Sequence, residues 1–119
     1  MKRKTAAAAP PGIDPDRLAL GIQQPWAELI LRGWKTLEIR SLSTQVRGPI
    51  YLYASKRLST LPAAGLAAAE RGLDLETLPR GLLVGSVDVV GSRPTTAEDA
   101  AGIADAAIEA QAMAKEINL

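Results

Sequence analysis

Proline and glycine punctuate residues 10–94 so closely that only short strands and short helices fit between them. Residues 18–22, Leu-Ala-Leu-Gly-Ile, alternate as a buried strand does, and Gln23-Gln24-Pro25 stops them. Pro25 suits the first turn of a helix, and residues 26–32 read as a short apolar one closed by Gly33. Residues 34–40 return to period two, with Leu37 and Ile39 on one side and Thr36, Glu38 and Arg40 on the other. After a polar connection, residues 49–54 are the clearest strand: Ile50, Leu52 and Ala54 share one face, Tyr51 and Tyr53 the other.

Residues 60–72 read as an alanine-rich helix, with Ser59 or Thr60 as its cap and Gly72 as its stop. Residues 82–90 form an apolar strand interrupted by Gly85, where a bulge or bend is expected. Thr95-Thr96-Ala97-Glu98 has the spacing of a capping box, and the helix expected after it stacks Ile103, Ala107, Ala110, Met113 with Ala114, and Ile117 on one stripe. The predicted order is strand, helix, strand, strand, helix, strand, helix. That order is an α+β fold around a small curved sheet or barrel. Residues 1–16 mix Lys, Ala, Pro and Gly without periodicity and predict a disordered tail. The folded domain is expected over 17–94, followed by a C-terminal helix over 95–119.

The functional exclusions come from what is missing. With no Cys and no His there is no disulfide, no thiol nucleophile, no thiolate or imidazole zinc ligand and no histidine base. Neither a metal nor a cofactor is expected, and catalysis would fall to Lys, Glu, Asp, Tyr or a hydroxyl. Lys2-Arg3-Lys4 and the alanines after Thr5 begin like a signal peptide but break at Pro10-Pro11-Gly12. No apolar stretch approaches the ~18 residues of a membrane span. A cytoplasmic protein is expected.

Net charge is only +1, but it is unevenly placed. Residues 32–57 carry Arg32, Lys35, Arg40, Arg47, Lys56 and Arg57 against the single Glu38. Residues 58–119 carry four basic and nine acidic groups. All four aromatics, Trp26, Trp34, Tyr51 and Tyr53, fall in or just before the positive block. Cations neutralise phosphates and aromatic faces stack on unpaired bases, so the block suits a nucleic acid. Core packing for the aromatics and a solvated rim for the charges explain the same cluster equally well.

Four segments stand out in order: Leu20-Gly21-Ile22-Gln23-Gln24-Pro25-Trp26-Ala27, Gly33-Trp34-Lys35-Thr36-Leu37-Glu38-Ile39-Arg40, Arg47-Gly48-Pro49-Ile50-Tyr51-Leu52-Tyr53-Ala54-Ser55, and Leu78-Pro79-Arg80-Gly81-Leu82-Leu83-Val84-Gly85-Ser86-Val87. Together they resemble the ASCH (ASC-homology) domain family, over residues 18–94. The resemblance implies a β-barrel related to the PUA fold, with Lys35, Glu38 and Arg40 looking into a cleft beside the first helix. It also implies an RNA-related binding module in a superfamily that includes enzymes on nucleosides or nucleic acid. Two departures bear on this. Superfamily amidohydrolases acting on acetylated cytidine carry a threonine three residues after the lysine, where this chain has Glu38. Family members also continue into final strands that help close the barrel, where an alanine-rich helix is expected here. Either that helix plugs the gap with its Ile103–Ile117 stripe, or the barrel is left incomplete at its C-terminal end, or a partner subunit covers the open edge.

The expected function is RNA or nucleotide binding through the positive block. Lys35 and Arg40 are the expected phosphate contacts, Glu38 orients, Trp26 or Tyr53 lies near a base, and Arg47, Ser55 and Lys56 are further contacts. A rival is a small nuclease or nucleoside amidohydrolase using Lys35 and Glu38 with a hydroxyl such as Ser55. A second is a protein-interaction domain, and a second copy is expected to meet an open sheet edge or the C-terminal helix. Plainer roles compete. A same-face salt bridge suffices for Glu38 and Arg40. Helix packing suits Trp26, and Ser55-Lys56-Arg57 suits capping.

Overall fold

The computed structural model describes residues 12–40 and 44–94, and the backbone of 106–112. Its centre is the antiparallel pair β3 (Gly48–Ala54) and β4 (Leu82–Pro94), in register from Gly48 opposite Val89 to Ala54 opposite Leu82. Ile50, Leu52 and Ala54 alternate on β3 and are all buried, meeting Val84, Val87 and Val89 of β4 in one apolar cluster. The ladder slips between Leu52 and Tyr53, leaving Val84 without an opposite number beside Gly85. Gly85 is there for room: a Cβ would stand 2.5 Å from Cδ2 of Leu31.

Outward from this centre, β1 (Ala19–Ile22) runs parallel to β3, with Gly21 opposite Tyr53. On the other side β5 (Ala106–Ala112) is antiparallel to β4, and β2 (Leu37–Arg40) is antiparallel to β5. The order is β1-β3-β4-β5-β2, a mixed sheet with β1 and β2 as edges. Among the described residues no ladder joins those edges, so the architecture is α+β with an open mixed sheet. Helix α1 (Trp26–Leu31) packs on β3, β4 and β5. Helix α2 (Pro62–Glu70) and a 3₁₀ turn, Leu75–Thr77, fill the connection between β3 and β4.

One expected element is overturned. Residues 106–112 form a strand where a helix is predicted, and Ala107 and Ala110 of the expected helical stripe lie in β5. Alanine favours helix locally, but two strands with unpaired edges offer backbone hydrogen bonds on both sides, and that pairing overrides a weak propensity. The expected cap Thr95, with Ile103, Met113, Ala114 and Ile117, lies outside the described residues. The strand β5 is also an element that the expected helix would have denied the sheet.

Two smaller differences concern ends. Within the tail predicted for residues 1–16, Asp14 heads a turn: Arg17 N donates to its carbonyl at 3.2 Å, and Asp14 N donates to the Tyr51 hydroxyl at 2.7 Å. Residues 1–11 lie outside the described residues. Helix α2 is capped by Leu61, with Pro62 following, rather than by a Ser59 or Thr60 side chain. Ser59 Oγ accepts from Leu61 N one step earlier.

Candidate functional site

The site begins with how α1 ends. Gly33 takes φ 77°, its N–H donates to the Ile30 carbonyl at 3.0 Å, and Trp34 N–H donates to the Leu29 carbonyl at 2.9 Å. This six-to-one and five-to-two pairing turns the chain sharply, and Leu29 O takes Lys35 N–H as well, at 3.1 Å. Lys35 is thereby fixed at the start of the approach to β2. Three residues on, Glu38 is 9% exposed on β2, on the face shared with Thr36 and Arg40.

Glu38 gathers two cations. Lys35 Nζ lies 3.5 Å from its Oε1, and Arg40 Nη1 lies 3.2 Å from its Oε2. Lys35 Nζ also donates to the Leu37 carbonyl. Burial pushes the Lys35 ammonium below its ordinary pKa of 10.5, while the charge and hydrogen bond of Glu38 act in the opposite sense. Arg40 Nη1 reaches further, donating to the Gly21 carbonyl at 3.2 Å. Since Gly21 is on one edge strand and Arg40 on the other, the sheet curls until one guanidinium spans its seam.

A cleft of about 470 Å³ opens there. Lys35, Glu38 and Arg40 line it with Gly21, Gln23 and Ser59, and Trp26, Ile39 and Leu61 supply apolar wall. The loop bearing Ser59 is held by Gln24, which is wholly buried. Its backbone carbonyl accepts from Ser59 N at 2.9 Å, its Nε2 donates to the Pro79 carbonyl at 2.9 Å, and its Oε1 accepts from Glu28 N at 2.9 Å. Glu28 in turn takes Arg32 Nε at 2.6 Å, so this buried carboxylate is part of the helix rather than of the cleft. Among the described residues no group of three carboxylates gathers to hold a metal ion.

The sequence profile of the ASCH domain matches residues 20–117, from β1 through β5. The chain belongs to the ASCH domain family. Activating signal cointegrator 1 of Mus musculus is 40% identical over 78 residues, and that of Homo sapiens 38% identical over 78 residues. Each match covers 60% of this chain and 13% of the longer relative. This ASCH domain therefore corresponds to a small part of those proteins.

Of the residues singled out by sequence, Trp26, Lys35, Glu38 and Arg40 meet in the cleft. The others do not line it. Arg47 is exposed and donates to the Thr44 carbonyl at 3.1 Å and the Val46 carbonyl at 2.8 Å. Tyr53 is half-buried on β3, opposite Gly21 in register. Ser55 N donates to the Ile22 carbonyl at 3.0 Å, extending the β1–β3 pairing. Lys56 is exposed, its stem beside Gly81. Sequence reasoning did not single out Gln23, Ser59 or Leu61, which reach the cleft through loop tracing that no periodicity reports. Gln24 stands in the first motif beside Gln23, and nothing local separates the buried glutamine from the exposed one. Among the described residues no helix is long and apolar enough to cross a membrane.

Proposed function

We propose that this ASCH domain is an RNA- or nucleotide-binding module that takes a phosphate-bearing ligand in the seam cleft. One observation carries the reading: two cations, Lys35 and Arg40, share the single buried carboxylate of Glu38 on the lining of an open cleft. The trio has one more positive than negative charge. Ammonium has three donors and guanidinium five, so after Glu38, Leu37 and Gly21 are served, N–H groups remain for a ligand. Phosphate oxygens are the acceptors such groups bind most strongly, and Trp26 offers apolar area beside them. The family membership adds its general association with RNA.

The enzyme reading, a nuclease or nucleoside amidohydrolase, draws on the lowered pKa of Lys35. The geometry weighs against it. Both oxygens of Glu38 are occupied by cations, which suits a counter-ion better than a base. The serine on the lining of the cleft is Ser59 rather than Ser55, and its hydroxyl already accepts from Leu61 N.

The test is equilibrium binding of single-stranded RNA across a salt series, with wild type beside Lys35→Ala/Arg40→Ala. The double variant is expected to lose at least about tenfold in affinity, as charge-assisted hydrogen bonds contribute about 1.5–3 kcal/mol each. Undiminished binding by the double variant rejects the cleft as the site, and shortened RNA after incubation with wild type favours the nuclease.

A further inference from the structure

Three further cations stand on the two loops that follow β3 and precede β4, outside the lining of the cleft. Lys56, Arg57 and Arg80 are all exposed, and none of them joins an ion pair among the described residues. No acidic residue occurs anywhere between Glu38 and Glu70 in the sequence. The two loops that carry these cations are fastened together. Gly81 N donates to the Ala54 carbonyl at 2.6 Å, and Gln24 holds Ser59 by its carbonyl and Pro79 by its amide, each at 2.9 Å.

Gly81 has a specific part in this. With φ 75° it adopts a backbone that side chains disfavour, and a Cβ there would meet Lys56 Cγ at 3.1 Å and Cε at 3.5 Å. The bare Cα is therefore the bed on which the Lys56 stem lies, which sets its ammonium beside the Arg80 loop. Ser59, which lines the cleft, is three residues from Lys56 and so within about 11 Å of it along any chain path.

We propose that Lys56, Arg57 and Arg80 form a phosphate-binding track, separate from the cleft, that carries the backbone of a single-stranded nucleic acid leaving the cleft across Ser59. The proposal rests on the reading of the cleft as a phosphate site. It deepens that reading, because it makes the ligand a polymer rather than a lone nucleotide. The track supplies charge from exposed side chains, so it contributes affinity with little preference for base sequence.

The experiment compares wild type, Lys56→Ala/Arg57→Ala/Arg80→Ala and Lys35→Ala/Arg40→Ala, binding adenosine monophosphate and a long oligoadenylate across a salt series. Circular dichroism confirms that each variant is folded. The track variant is expected to bind the mononucleotide as wild type does. On the oligomer it loses about tenfold, and its log–log salt slope becomes shallower by roughly two, as three single-strand phosphate contacts dictate. Unchanged oligomer affinity and slope in the track variant, with loss in the cleft variant, overturns the track and leaves the cleft. Loss in the track variant alone removes the cleft and overturns the path from cleft to track, leaving these cations as a phosphate surface of their own. Binding of neither ligand by wild type overturns both.

Discussion

The centre of this sheet and its two edges are held by different physics. Between β3 and β4 a long antiparallel ladder lies against Ile50, Leu52, Val84, Val87 and Val89, all buried, and the tight fit of Leu31 against Gly85 locks α1 onto it. At the seam, the described residues show no ladder between β1 and β2, only the guanidinium of Arg40 reaching from Glu38 to the Gly21 carbonyl. Apolar contacts at the centre cannot be exchanged for a ligand without a large loss. Charged contacts at the seam can, because an incoming phosphate replaces the acceptors it displaces. Stability is expected to reside in the first region and binding in the second.

That division can be broken most readily at Leu52, which is 0% exposed. Leu52→Ala is expected to lower unfolding free energy by about 2–5 kcal/mol, read from urea denaturation. Arg40→Ala, at a part-exposed ion pair, is expected to lose no more than about 1 kcal/mol of stability in the same assay. Equal losses would mean that the seam is structural after all. Next, Gly85→Ala places a methyl into Leu31 and is expected to cost about 1–3 kcal/mol, with the unfolding midpoint falling accordingly.

A finer test lies within the trio. Glu38→Gln is expected to cost on the order of 1 kcal/mol of stability, since its partners are partly exposed, and to lower the Lys35 pKa further by removing the influence that opposes burial. The smallest effect is the pH dependence of Lys35 itself. Its folded pKa lies below the ordinary 10.5, so between the two values the unfolded chain binds more protons. Stability from this residue therefore rises with pH through that window, while its contribution to the proposed phosphate binding is expected to fall. Lys35→Met is expected to remove both trends, as seen by comparing alkaline denaturation and oligomer binding with wild type.

Much of this arrangement is legible from residue order. Local signals place β1, α1 with its Gly33 stop, β2 and β3, because apolar periodicity and glycine chemistry act over a few residues. The same locality brings Lys35, Glu38 and Arg40 onto one short stretch, and the helix before it adds Trp26. The strand over 106–112 was not legible, since Ala-Ala-Ile-Glu-Ala-Gln-Ala favours helix until β4 and β2 offer it hydrogen-bond partners. Ser59 and Leu61 were not legible either, because Gln24 draws their loop to the cleft through contacts distant in sequence. Tyr51 and Tyr53 look alike in sequence and differ in place. Tyr51 is buried beneath Arg17, whose guanidinium carbon is 4.8 Å from the ring centroid, whereas Tyr53 is half-buried.

The chain's two tryptophans allow the most direct test of the central claim, because they report on different surfaces. Trp26 lines the cleft, whereas Trp34 is 41% exposed with the Arg32 and Arg71 guanidiniums 5.5 and 4.7 Å from its ring centroid. Their two indole N–H signals can be followed by NMR while single-stranded RNA is titrated into the intact chain. If the seam cleft is the binding site, the Trp26 signal shifts saturably while that of Trp34 moves little, and Lys35→Ala/Arg40→Ala abolishes the shift. A saturable shift of Trp34 with Trp26 unmoved would contradict the account and place binding on the exposed tryptophan–arginine surface instead.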